Sequence, residues 1–214
     1  MFRLPFPFPA ASRAARRTAA ALTSLVAGLA VAAVSAAPAR AATAQPTCSQ
    51  GALSQPFLSW GDANSYTLIP GADFEGSLSG WTLSGGAKKV AGSEPYKATG
   101  TLGASSLSLP TGASAQSPFV CVNVAYPSFR FFARNEGLLS SVLVQAVYKT
   151  PLGNLTASLG AVALSATWQP TLPMLTNSIV GGVLSGGTGQ VAIRLTAVTG
   201  PSRIDDLFLD PRMR

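Results

Sequence analysis

Between Tyr66 and Leu209, apolar residues recur at every second position in a series of short runs, each interrupted by Gly, Pro, Asn or Ser. A period of two is the strand period, because successive side chains on a strand point to opposite faces. The pattern predicts strands over residues 66–69, 81–84, 106–109, 116–124, 128–134, 142–150, 155–164, 168–172, 190–198 and 204–209. Pro70-Gly71 closes the first of these, and Pro151-Leu152-Gly153-Asn154 reads as the turn of a hairpin. Residues 128–134 form the clearest two-faced segment: Phe129, Phe131 and Ala133 share one side, and Arg130, Phe132 and Arg134 the other. The Gly-rich stretches 85–103 and 175–189 read as loops, the first with a weak strand inside it. No helical period runs through residues 42–214, and no segment repeats. The expectation is an all-β fold, a sandwich or barrel of short strands joined by turns.

The N-terminal region has a different pattern. Residues 18–39 carry no charge and are Ala-rich, and Arg3, Arg13, Arg16 and Arg17 precede them. A basic start, an apolar run and Ala39-Arg40-Ala41 as a cleavage site read as a secretory signal over residues 1–41. A membrane anchor is the competing reading, since the run is long enough to span, but its Ala and Gly would insert weakly. Arg16-Arg17 leaves both the general secretory and the twin-arginine routes open. The whole chain has a net charge of +7. Without residues 1–41 it keeps ten basic residues against eight acids, a net +2, and the case for a nucleic-acid partner largely goes. Residues 42–61 then read as an N-terminal leader, polar over 43–55 and with a short apolar segment from Pro56 before a turn, and 62–214 as one domain, in an extracellular or cell-envelope location with no membrane span in the mature chain. Export also invites a disulfide between Cys48 and Cys121, the two cysteines, which would tie the leader to a central strand. Closing that loop would stabilise the fold by roughly 4 kcal/mol on the chain-entropy account.

Two segments carry most of the candidate chemistry. Gly71-Ala72-Asp73-Phe74-Glu75-Gly76 leads through a Gly-Ser turn to Gly80-Trp81, and Ile204-Asp205-Asp206-Leu207-Phe208-Leu209 lies near the far end. Together they resemble the galactose-binding-like jelly roll of many carbohydrate-binding modules, which open with a Phe-Glu…Gly-Trp segment and close with an Ile-Asp-Asp-apolar strand. Ala166-Thr167-Trp168-Gln169 resembles a further strand opening of the same modules. The resemblance covers about residues 62–212 and implies a jelly-roll β-sandwich with the two acidic segments on adjacent strands. It also implies a structural calcium held by Glu75 and by Asp206 or its neighbour Asp205, with loop carbonyls completing the six to eight oxygens that calcium takes. The other readings of these acids are a solvated acidic edge, or neutralisation by their neighbours Arg203 and Arg212.

The chain has no histidine, which removes the usual general base, the histidine-dependent nucleophile systems and histidine metal sites. Glycoside hydrolysis by carboxylates alone would need Glu75 and Asp206 to face each other across an open cleft. An enzyme is not expected. A non-catalytic module binding a glycan or a cell-envelope component is, and such a site needs exposed rings for stacking and planar polar side chains. Candidates are Arg130, Arg134, Gln145, Tyr148 and Arg194 on the polar sides of strands, with Trp60, Tyr66 and Tyr96 near loops. Trp81 and Trp168 read as core. The alternative is a structural or adhesive envelope protein with no small ligand, which the low charge and abundant Ser, Thr, Gly and Ala fit equally. A ring exposed on a sheet face or rim separates the two readings.

Overall fold

Alternating apolar positions make two antiparallel sheets here, because each strand has one face to bury and a second sheet to bury it against. A computed structural model describes residues 51–123, 128–176 and 188–210, which fall within one compact unit, Thr43–Arg214. Cys48 and the expected signal segment lie outside the described residues.

The first sheet is built around β14 (Ser202–Asp210). One edge of β14 pairs along its length with β8 (Ser128–Asn135). Its other edge pairs first with β5 (Ser105–Leu109) and then with β2 (Tyr66–Leu68). Beyond β5 lies β4 (Lys88–Ala91), beyond β2 lies β1 (Leu53–Ser54), and the short β11 (Gln169–Pro170) and β12 (Met174–Leu175) pair with β8. The second sheet is built around β13 (Thr188–Ala197). On one edge lie β9 (Ser141–Thr150) and then β10 (Gly153–Ala163). On the other lie β7 (Val120–Asn123) and β6 (Ser114–Gln116), with β3 (Thr82–Ser84) outermost. The fold is a jelly-roll β-sandwich. Its main core sets Leu107, Phe129, Phe131, Ile204 and Leu209 against Val144, Tyr148, Val191, Ile193 and Leu195. Among the described residues, no helix is long and apolar enough to cross a membrane.

Two departures from the sequence pattern have physical causes. The single strand expected over 116–124 is divided, because Pro118 has no N–H to give to a ladder. Ser117 bridges the gap: its N–H donates to the Ile193 carbonyl (2.9 Å), and its hydroxyl accepts the Ile193 N–H (3.0 Å). The expected leader, 42–61, is partly built into the sandwich. β1 pairs with β2, and Phe57 is fully buried with Tyr66, Phe132, Trp168 and Phe208 in a second apolar layer. That layer covers the face of β8 opposite the main core, since Phe132 alternates with Phe129, Phe131 and Ala133.

Arg130 shares this second face and is buried, so its guanidinium must be paired. Its Nη1 meets Asp62 Oδ2 at 2.8 Å, its Nε donates to the Thr171 carbonyl (2.7 Å), and its guanidinium lies over the Phe57 ring at 4.2 Å. Asp62 also accepts from the Tyr66 hydroxyl (2.7 Å) and the Asn64 N–H (3.1 Å). Burial would raise the Asp62 pKa, but the hydrogen bonds from Tyr66 and Arg130 outweigh it and hold the carboxyl below its ordinary value. Burial and donation to Asp62 push the Tyr66 hydroxyl up to about 12.

Removing one partner of this pair leaves the other charge desolvated. Asp62→Ala should therefore cost about 3 kcal/mol in urea unfolding, and Asp62→Leu combined with Arg130→Met should cost less than the two single changes added together.

Candidate functional site

The notable concavity is an open groove of about 640 Å³ between the Pro56–Trp60 segment and the 96–100 loop. Its first wall is the single 3₁₀ turn Leu58–Trp60, closed by Gly61 in the left-handed region (φ 76°) with its N–H on the Leu58 carbonyl. Buried Phe57 fixes the turn from below, which leaves Trp60 on the surface at 36% exposure. The second wall carries Tyr96, 41% exposed. The two rings meet edge to face at 4.9 Å, and both rest on buried Phe132, at 5.4 Å and 5.7 Å. Tyr96 is fixed at both ends, since its hydroxyl donates to the Trp168 carbonyl (2.8 Å) and its N–H to the Glu94 carboxylate. Ser54, Gln55, Ser59, Lys97 and Thr99 add polar groups around the rings.

A second surface is the outer face of the sheet around β13. Strand register lines up Thr82, Gln116, Arg194, Gln145 and Ser158 in one row across five strands. Gln145 and Arg194 are thus brought together as register partners. The row holds no aromatic ring, and Arg194 already commits Nε and Nη2 to Gln116 Oε1 (3.2 and 2.7 Å). The other expected ligand residues lie elsewhere. Arg130 is the buried cation of the second apolar layer, and Tyr148 is in the main core, where burial raises its pKa. Tyr66, expected near a loop, is buried beneath Asp62. Arg134 lies on the opposite sheet, paired with Glu136 (3.1 Å) and facing the Trp168 ring at 5.5 Å. Side chains alternate along a strand, so residues that look polar in sequence were divided between two sheets and two faces.

The acidic segments meet where β14 exchanges β5 for β2. The chain bulges there between Asp205 and Phe208, with Asp206 in a left-handed conformation (φ 49°). Asp205 and Asp206 are buried, and so is Glu94, which sequence reasoning left inside a Gly-rich loop. Asp205 accepts the Ser93 hydroxyl (2.8 Å), the Glu94 N–H (2.9 Å) and the Asp206 N–H (3.0 Å). Glu94 accepts the N–H groups of Tyr96 and Ala98. Glu75 is exposed at the border, its Oε1 taken by the N–H groups of Ala104 (2.7 Å) and Ser105 (2.8 Å). Gly103 permits this approach, because a Cβ there would lie 2.5 Å from Ser93 Oγ and 2.7 Å from Glu75 Oε1.

Oxygen donors suit calcium. Among the described residues, however, no three acidic, His or Cys side chains are grouped as a metal site. Glu75 and Asp205 each accept from local amide or hydroxyl donors. The same placement opposes a carboxylate-pair hydrolase, since Asp206 is buried and Glu75 points to backbone amides rather than across a cleft. Burial pushes Asp205 up to about 7. Burial, together with the charges of Asp205, Glu94 and Asp73, pushes Asp206 up to about 9.

No protein-family model matches the chain, and no curated protein matches it. Matching solved structures include a CBM61 module in complex with β-1,4-galactotriose, at 16% identity over 68% of this chain and 98% of that one, TM-score 0.43. Another is the CBM22-2 xylan-binding domain of a Paenibacillus barcinonensis xylanase, at 16% identity over 66% of this chain and 98% of that one, TM-score 0.45. A third is the CBM22-1–GH10 region of a Clostridium thermocellum xylanase complexed with xylohexaose, at 11% identity and TM-score 0.49; the match takes 65% of this chain and only 28% of that larger one. The ligands named are those of the matched proteins.

The raised carboxyls of β14 make stability depend on pH. Both titrate higher in the fold than their ordinary value of 3.8, so the folded chain binds more protons than the unfolded chain from there up to about pH 9. Their contribution is most favourable at the acid end of that window and declines as pH rises. The Tm in metal-free buffer should fall from about pH 5 to about pH 9, and Asp206→Asn should flatten the slope. A slope equally steep in the variant would reject this account of Asp206.

Proposed function

We propose that this protein is an exported, non-catalytic glycan-binding module whose site is the Trp60–Tyr96 groove. The observation that carries the reading is the pair of half-exposed rings, held edge to face over Phe132 and ringed by hydroxyl and amide groups. A sugar presents an apolar C–H face and a polar edge, and rigid aromatic walls with a polar rim suit both. Rigidity matters because a ring already fixed loses little freedom on binding. Phe57, Phe132 and the Tyr96 hydroxyl bond supply it. Among the described residues the groove's lining includes no carboxylate to protonate or attack a glycosidic bond. An exposed ring on a rim also favours a ligand-binding module over an envelope protein without one. The two glutamines and the arginine of the outer sheet face are a second surface with hydrogen-bonding capacity, but without a ring for stacking.

The test is affinity electrophoresis and calorimetry against soluble plant and bacterial polysaccharides. Trp60→Ala and Tyr96→Ala should each weaken binding by about thirtyfold or more, the loss typical of a buried aromatic anchor. Gln145→Ala and Arg194→Ala should leave binding unchanged. The reverse pattern would move the site to the outer face of the second sheet.

A further inference from the structure

The charge of the groove specifies its ligand more narrowly. Resting on the reading of this groove as a glycan site, we propose that the glycan is acidic, a uronic-acid-bearing polysaccharide whose carboxylate is taken by Lys97. Among the described residues Lys97 is the charged side chain in the groove's lining, and no acidic residue lines it. Lys97 makes no ion pair among the described residues; Lys88, Lys89, Lys149 and Arg194 also make none, but they lie outside the groove's lining. The nearest acid in sequence, Glu94, does not offset this charge at the surface: it is buried, and its oxygens accept the N–H groups of Tyr96 and Ala98.

Those two bonds also bracket Lys97 and hold the turn on which it sits. Lys97 adopts a left-handed backbone (φ 59°), and its carbonyl accepts the Gly100 N–H at 2.8 Å. That conformation ordinarily favours Gly or Asn, so a lysine here stands beside Tyr96 in the groove's lining in a turn that chain geometry alone would fill otherwise. A lysine ammonium is a compact point charge with three donors, suited to one carboxylate beside a stacked ring. Glu94 acts through the loop as a positioning residue for both Tyr96 and Lys97.

The experiment titrates the protein with polygalacturonate, glucuronoxylan and hyaluronate, each beside a neutral form made by methyl-esterifying or reducing its carboxyls, at low and high salt. At least one acidic polymer should bind about tenfold or more tighter than its neutral form, and high salt should erase much of the difference. Lys97→Asn, which keeps a residue tolerant of the left-handed turn, should abolish the preference, so that the acidic and neutral forms bind with similar affinity. Trp60→Ala should weaken both forms together. Equal binding of acidic and neutral forms, or binding only of neutral glycans, overturns the acidic assignment and leaves the glycan reading standing. Failure of every polysaccharide, acidic and neutral, overturns both.

Discussion

The ion pair between Arg130 and Asp62 sets the terms for one whole side of this molecule. β8 has apolar residues on both faces, so the sheet around β14 needs cover on its outer side as well as its inner side. A guanidinium in the middle of that outer face can be tolerated only if a carboxylate reaches it. Asp62 does, and the chain just before it is drawn across the face. Phe57 fills the layer, the 3₁₀ turn rests on it, and Trp60 emerges at the surface next to Tyr96. The candidate binding site is thus a by-product of how a buried cation was neutralised. Replacing the pair by apolar residues could keep the layer closed, but it would remove the one directional contact that fixes where the N-terminal segment lies.

Much of the sandwich could be read from the sequence, because a half-buried strand writes its period of two into the chain. β9, β10, β13 and β14 are all found within a residue or two of where alternation placed them, and the Pro151 turn joins the hairpin as expected. What could not be read depended on contacts distant in sequence. β1 is two residues long and shows no period, and the short apolar segment around Phe57 carries no sign of which of its residues is buried. The division of residues 116–124 was visible in Pro118, yet the continuation of the ladder through the Ser117 hydroxyl was not.

The site was less legible than the fold. Arg130, Gln145, Tyr148 and Arg194 all occupy strand positions, but polarity in a sequence does not reveal which of several faces a side chain occupies or what already satisfies it. Tyr148 carries a hydroxyl and still points into the core, while Arg194 gives its fork to Gln116. Glu94 offered no signal, since an acid between Ser93 and Pro95 in a Gly-rich loop resembles many solvated turns. Only the fold reveals that it ties the acidic end of β14 to the loop bearing Tyr96. Trp60 and Tyr96 are 36 positions apart and came together through the outer layer, not through any shared motif.

The partition of the groove between two distant stretches of chain bears on how such a domain can be moved between proteins. Its jelly roll, taken at the boundary that strand periodicity suggests, begins at Asp62 and retains both sheets. Trp60 and the turn that carries it lie just upstream, in what looks like linker. A graft joined at that boundary would inherit most of the strands but lose β1, the Phe57 cover of the outer layer and half of the groove, so the unit of recombination reaches upstream of the one that periodicity marks.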